Sequence, residues 1–359
     1  MREVFVGVDL GGTNIKLGCF DGELNLLSKR TIPSRVELGP ESIIERIGQN
    51  IEKMLSESGL STKDICAFGI GSPGVMDIEA GVVIAAGNMR FENVPLRQML
   101  SDYLGKPGVL ENDANVTCWG EHVLGAGKGV DEMILITLGT GIGSGIIKNG
   151  KLVHGFNNNG VEVGHIILYP DGRMCSCGQR GCVEAYASAS ATAARAKEAV
   201  KSGAISSLKK VFEETGDITC KDVYKHVAQG DELAKEISDE TAKALALLCV
   251  NLLHVIGPKR IVFYGGMNKA GQLLLEPIKK FFNEHIWRLK KEDVEFCSAT
   301  LGADAGIIGT AALAIHALKE GKIKRQRDVS RIPIAELKKA ARAALEERTK
   351  AAQPSTETD

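Results

Sequence analysis

An α/β protein made of two similar halves with a cleft between them is the fold class this sequence predicts, and three observations predict it. The 41 glycines gather at Gly11-Gly12, Gly69 to Gly74, Gly139 to Gly145 and Gly265-Gly266, each time just after a short apolar run. Glycine there means a strand that ends in a tight turn with accessible backbone amides. The order strand, Gly/Thr turn, strand occurs at Val4 to Phe20 and again at Met133 to Ile147, about 130 residues later, the mark of an internal repeat. A third strand and glycine pair, Arg260 to Asn268, lies between two stretches of helical periodicity, which supply covering layers for a sheet.

Each element follows from its residues. Val4 to Leu10 and Asn14 to Phe20 are apolar runs on either side of Gly11-Gly12-Thr13, so they read as a hairpin. Ile43, Ile44, Ile47, Ile51, Met54 and Leu55 recur at helical spacing. Ile65 to Ile70 is a strand ending at Gly71-Ser72-Pro73-Gly74, and Gly108 to Leu110 is a shorter one running into Glu111-Asn112-Asp113. Met133 to Leu138 and Gly143 to Ile147 flank the second turn, and Arg260 to Tyr264 precedes the third glycine pair. Leu233 to His254 and Gly271 to Ile286 are helical, and a small-residue helix follows Gly302-Ala303-Asp304 to about Leu318. Beyond it come the basic run Lys322 to Arg327, an amphipathic helix from Ile334 to about Lys350, and a polar end from Gln353 that reads as disordered.

Composition narrows the class. The 359 residues are 44% hydrophobic and 25% charged, with a net charge of -1, so no overall field draws the chain to nucleic acid or anionic lipid. The start lacks a signal-peptide pattern, and the apolar stretch Ala244 to Ile256 is interrupted by Asn251 and His254, as a buried helix is and a membrane span is not. A cytoplasmic protein with neither nucleic acid nor membrane as partner is expected. Six of the nine cysteines are scattered singly, as ordinary buried thiols are.

The other three are clustered. Glu162, His165, Cys175, Cys177, Cys182 and Glu184 fall within 23 residues, with Gly178 and Gly181 between the thiols. One imidazole and three thiolates make up a closed tetrahedral zinc set; a disulfide is the weaker rival, because cysteines two apart bridge poorly. Asp9-Leu10-Gly11-Gly12-Thr13-Asn14 is followed by a strand and lacks a Gly-Lys-Ser/Thr, so it is neither a Walker loop nor a dinucleotide fingerprint. Its amides and hydroxyl suit phosphate, and Asp9 suits a hydrated magnesium ion. The same chemistry at Gly139, Thr140 and Gly141 makes two turns able to grip one polyphosphate. Asp113, at a strand end, is a carboxylate placed to accept a hydroxyl proton, though Asn112 or Asp113 also suits a helix cap.

Taken together, these residues resemble the ROK family of sugar kinases and repressors, within the actin and hexokinase superfamily. The matching segments are VDLGGTNIKLG at 8–18, GSPG at 71–74, ENDAN at 111–115, LGTGIGSGII at 138–147, EVGH at 162–165 and CSCGQRGCVEAYAS at 175–188. The resemblance implies an actin-like/hexokinase (ribonuclease H-like) two-domain fold with an interdomain cleft. It implies ATP and magnesium at the glycine turns, a hexose between the domains, a structural zinc and a homodimer or higher homo-oligomer. Asp113 becomes the general base; Gly74, Asn88, Asn112, Glu162, His165 and Glu184 bind the sugar, with His165 also on zinc. Asp9, Gly11, Gly12, Thr13, Asn14, Lys16, Gly139, Thr140, Gly141, Gly265 and Gly266 bind the nucleotide.

The implied reaction is phosphorylation of a hexose at its 6-hydroxyl, glucose first, with N-acetylmannosamine, N-acetylglucosamine or fructose as alternatives. The family's repressors carry a helix-turn-helix domain ahead of the first phosphate turn, which here begins at Asp9. DNA binding is therefore not expected. Ser144 stands in the second phosphate turn and Val161 before Glu162 where the family usually has glycine, and Tyr264 and Met267 flank Gly265-Gly266 in place of smaller residues. Polyphosphate is the alternative donor these departures leave. The expected domains are 1–117, 118–305, a closing helix over 306–320 packing back on the first domain, and a basic linker, helix and tail over 321–359.

Overall fold

One sheet topology occurs twice. The computed structural model describes residues 3–287 and 294–323, and the chain divides into two units. The first runs to Gly120, takes in Phe156–Asn159 and resumes at Asp304; the second is Glu121–Gly155 with Gly160–Ala303.

The first unit contains β1 (Val4–Leu10), β2 (Asn14–Phe20), β3 (Leu26–Pro33), α1 (Gly39–Glu57), β4 (Ile65–Ser72), β5 (Val75–Asp77), β6 (Val82–Ala86), β7 (Phe91–Val94), α2 (Leu96–Leu104) and β8 (Gly108–Asn112), then most of α3 (Asp113–Val123). Its main sheet has the order β3-β2-β1-β4-β8. β1, β2 and β3 pair antiparallel, whereas β4 and β8 run parallel to β1. The central strands β1 and β4 read as nearly unbroken apolar runs because both faces of the sheet are covered there. The expected stripe of α1 is wholly buried and shares a core with Leu96, Met99, Leu100 and Leu104 of α2.

In the second unit, β9 (Met133–Leu138), β10 (Ile142–Lys148) and β11 (Lys151–Leu152) are followed by α4 (Glu184–Ala187), α5 (Ala189–Lys201), α6 (Leu208–Thr215), α7 (Cys220–Val227), α8 (Glu232–Val255), β12 (Arg260–Tyr264), α9 (Gln272–His285) and β13 (Glu295–Ser298). The sheet order is β11-β10-β9-β12-β13, again with three antiparallel strands and two parallel additions. This is the duplicated ribonuclease H-like arrangement of the actin-like/hexokinase fold. Ala244, Leu245, Leu248, Cys249 and Leu252 of α8 are buried, so the apolar stretch Ala244 to Ile256 lies mostly in a core helix. No described helix is long and apolar enough to cross a membrane.

The last helix, α10 (Ala305–Lys319), belongs to the first unit. It lies against β1 and β4 at close range. A Cβ on Gly7 would sit 2.0 Å from the Ile307 carbonyl oxygen, and one on Gly69 would sit 2.1 Å from that of Thr310. Only glycine on the strands permits that approach.

Differences from the sequence reading are local. The first boundary falls after Gly120 because α3 continues past residue 117, the second falls at Ala303, and Phe156–Asn159 group with the first unit. The sequence reading omitted β3, β5, β6, β7, β11, β13, α2 and α4 to α7, which are short or carry mixed polarity. The helix, basic linker and tail expected after residue 323 lie outside the described residues, as does most of the basic run.

Candidate active site

In the first unit the glycine turn joins β1 to β2, and the register sets Asp9 opposite Lys16. Lys16 Nζ lies 3.3 Å from Asp9 Oδ2. Burial pushes the Asp9 carboxyl above the ordinary carboxylate range, against the pull of the Lys16 ammonium. A Cβ on Gly306 would lie 2.6 Å from Asp9 Oδ2, so α10 backs the carboxylate at its bare backbone. Ser34, itself buried, holds two carbonyls of the turn: its Oγ donates to Gly11 O at 2.5 Å and its N–H to Thr13 O at 2.8 Å. Thr13 and Asn14 are exposed.

Beside this turn is Asn88, whose side chain lies within 3.6 Å of where a Gly12 Cβ would stand. Gly74, at φ 107°, lets the Ala85–Ala86 backbone come within 2.4 Å of its missing Cβ, immediately before the Gly87–Met89 turn. Asp113 is the first residue of α3, and Asn112 caps it: Asn112 Oδ1 accepts from Ala114 N at 2.9 Å and Asn115 N at 3.3 Å. Asp113 Oδ1 also accepts from Ala114 N at 2.9 Å. The cap uses Asn112 Oδ1 and Asp113 Oδ1 and leaves the Nδ2 hydrogens of Asn112 outside it.

In the second unit the turn between β9 and β10 is built around a carboxylate from elsewhere. Glu184 Oε2 accepts from Ile142 N at 2.9 Å, and its Oε1 from Ser176 Oγ at 2.8 Å. Gly141 is glycine because a Cβ would meet Glu184 Oε2 at 2.4 Å. Ala189 N, in the first turn of α5, donates to Gly139 O at 2.9 Å. Gly265, at φ 108°, passes 2.5 Å from the Leu138 carbonyl oxygen by its missing Cβ, which draws the Gly265-Gly266 segment against the same turn. The Glu162–His165 turn packs there too, since a Cβ on Gly164 would sit 2.3 Å from Ile142 O. Glu162 itself is exposed.

The ligand atoms of His165, Cys175, Cys177 and Cys182 all lie within 4.8 Å of one another. Cys175 Sγ is 3.7 Å from His165 Nδ1, and Cys177 Sγ is 3.7 Å from Cys182 Sγ. A tetrahedral zinc with Zn–S bonds of about 2.3 Å sets neighbouring sulfurs about 3.8 Å apart. Donor types and spacing therefore match that ion. All nine cysteines are free, so the disulfide alternative is not the state described. Burial and the neighbouring thiols push Cys182 up to about 12, as expected for thiols that need a cation beside them to ionise. Cys175 Sγ also lies 3.5 Å from Glu184 Oε1, which links this cluster to the glycine turn.

A cavity of about 800 Å³ opens beside the same turn. Gly139, Thr140 and Gly266 line one part, Met267 and Leu273 with Ala189, Ala193 and Tyr224 of α5 and α7 give an apolar wall, and Lys221, Lys225 and Lys269 also stand in the lining.

The ROK family model matches residues 5–317 of this chain. The chain belongs to the ROK family. It is 38% identical over 306 residues to the glucokinase of Halalkalibacterium halodurans, covering 85% of this chain and 93% of that protein. It is 36% identical to the glucokinase of Thermotoga maritima, covering 86% and 96%. The crystal structure of a ROK family glucokinase from Streptomyces griseus in complex with glucose and AMPPNP superposes with a TM-score of 0.72 at 34% identity, covering 87% of this chain and 99% of that one.

Within this ROK chain, the sequence reading missed Ser34, Ser176 and the cavity walls on α5 and α7. One signal for the walls was present: Thr219 and Asp222 form a capping box at the start of α7, a pattern readable as Thr-x-x-Asp. Ser34 acts through turn carbonyls more than twenty residues away and Ser176 through a carboxylate eight residues on, and no local pattern announces either.

Proposed function

We propose that the protein is a glucokinase, which transfers the γ-phosphoryl group of ATP to the 6-hydroxyl of glucose. The observation that carries this reading is the mostly apolar cavity beside the second glycine turn. A nucleoside fills such a space while its phosphates reach the turn amides and the N-terminus of α5, where an anion is favoured. Polyphosphate has no part that would use the apolar walls, which favours ATP as donor.

We assign Asp113 as the base that takes the proton from the sugar hydroxyl as its oxygen bonds to the γ-phosphorus and the bond from that phosphorus to the β–γ bridging oxygen breaks. Phosphoryl transfer asks the protein mainly for such positioning and for charge relief. Asp9 would hold magnesium through water, and the ion would supply that charge relief on the phosphates. Asn88, Asn112, Glu162, His165 and Glu184 offer the hydrogen-bonding groups that a polyhydroxylated substrate needs. Zinc held by His165, Cys175, Cys177 and Cys182 would be structural, fixing the imidazole through Nδ1 and leaving Nε2 for substrate. A homodimer in the cytoplasm completes the proposal.

The test is a coupled ADP-release assay with ATP over a panel of hexoses, run beside a sugar-phosphate assay with polyphosphate. The expected result is ATP-dependent turnover with glucose in preference to N-acetylmannosamine, N-acetylglucosamine and fructose. Turnover with polyphosphate alone would overturn the donor, and no turnover with any hexose would overturn the reading.

A further inference from the structure

Val161 is a β-branched residue at φ 70°. That left-handed conformation is a genuine outlier for such a side chain and persists only where surrounding structure holds it. The holding group is visible. Ser144, buried on β10 three residues past Gly141 of the second glycine turn, donates its Oγ hydrogen to the Val161 carbonyl oxygen. Val163 N donates to the same oxygen at 3.0 Å, while the Val161 side chain packs on the core of the second unit.

The carbonyl of Val161 and the N–H of Glu162 share one rigid peptide plane. Fixing that oxygen therefore fixes the bond about which Glu162 turns. His165 N donates to Glu162 O at 3.0 Å, so the segment that carries Glu162 and the zinc-cluster histidine is built outward from this plane. Ser144 stands on the strand that leaves the phosphate turn, opposite Ile136 of β9. It ties the placement of Glu162 to that strand.

We propose that Ser144 is a positioning residue for sugar recognition: it holds the Val161–Glu162 peptide in a conformation valine would otherwise leave, and so sets where the Glu162 carboxylate meets a sugar hydroxyl. This rests on the kinase reading above. It assigns the strained backbone a purpose that a glycine at 161 would make unnecessary, because glycine adopts positive φ without support.

The test compares wild type, Ser144→Ala, Val161→Gly and the double variant, reading glucose KM, ATP KM, kcat and Tm for each. Ser144→Ala is expected to raise glucose KM about tenfold, with ATP KM and kcat nearly unchanged. Val161→Gly is expected to stay close to wild type, and adding it to Ser144→Ala should return glucose KM to within about threefold of wild type, a non-additive cycle. A merely structural serine would lower Tm in both serine variants without this rescue. Unchanged glucose KM in Ser144→Ala, or no recovery in the double variant, overturns the proposal. If Ser144→Ala does not fold, the double variant decides: it must fold and bind glucose as wild type does. A wild-type protein inactive on every hexose overturns the kinase reading and this inference together, whereas an active wild type with an indifferent serine overturns the inference alone.

Discussion

The two glycine turns occupy the same place in the same topology and differ in charge. In Asp9-Leu10-Gly11-Gly12-Thr13 the strand-end residue is a carboxylate facing Lys16 across the hairpin, 3.3 Å away. In Thr137-Leu138-Gly139-Thr140-Gly141 it is a hydroxyl facing Gly143, whose N–H donates to Thr137 Oγ1 at 2.9 Å. The first turn thus carries its own ion pair. The second is neutral along the hairpin and borrows a carboxylate, Glu184, from the segment next to the cysteines. One backbone design is therefore used once to manage charge and once to present amides, and the side chains at one strand position decide which.

The contrast can be broken at its charged end first. Asp113→Asn, in the same unit as the Asp9–Lys16 pair, is expected to lower kcat by about 10²- to 10⁴-fold with little change in Tm, measured by the coupled assay and thermal unfolding. An unchanged kcat would remove Asp113 as the base. Asp9→Asn should cost at least about 10²-fold in turnover and weaken the magnesium dependence, yet raise stability at neutral pH. The sign follows from burial. A carboxyl whose folded pKa lies above its unfolded value, near 3.8, favours folding fully only below that value and loses this contribution as pH rises through the folded one. Wild type should therefore lose stability relative to Asp9→Asn across that window, and parallel Tm–pH curves would refute the assignment.

The borrowed carboxylate is probed next. Cys177→Ser, or chelation, should release zinc by atomic absorption, lower Tm, and raise glucose KM about 10- to 100-fold. ATP KM should rise with it, because Cys175 and the Ile142 amide share Glu184. Full metal retention in Cys177→Ser would rule out the ligand set. Gly141→Ala forces a methyl to within 2.4 Å of Glu184 Oε2 and should cost about tenfold in kcat/KM. The smallest effect is expected of Thr137→Val, which removes one hydroxyl acceptor, worth about 1 kcal/mol and a few-fold in ATP KM. A loss as large as that of Asp9→Asn would erase the distinction between the two turns.

The strands that carry these turns were legible because each is a largely apolar run beside a glycine turn: Val4–Leu10, Asn14–Phe20, Met133–Leu138 and Arg260–Tyr264 match their expected bounds. The cysteine cluster was legible because its ligands are close in sequence, and the structure brings them within bonding reach of one ion. Partnerships formed at long range were not readable. Glu184 meets Ile142 across 42 residues and Ser144 meets Val161 across 17, and such pairs depend on how sheet and loops fold back. Ser144 and Val161 were readable singly as unusual residues, but that they answer each other is visible only in three dimensions. The edge strands β3 and β13 were missed because neither has a buried residue, β3 carrying Ser28 to Thr31 in its middle and β13 opening on Glu295.

The close seating of α10 on Gly7 and Gly69 bears on how the chain is made. A ribosome delivers β1 first and α10 roughly three hundred residues later, at about 5–20 residues per second. Throughout that interval the first sheet has no partner for the face that α10 covers, whereas the second unit, from 121 to 303 apart from its 156–159 excursion, has already emerged whole. The half that begins the protein is thus the last to be completed, and a nascent chain halted before residue 305 would leave the Asp9 side of the site without its backing helix.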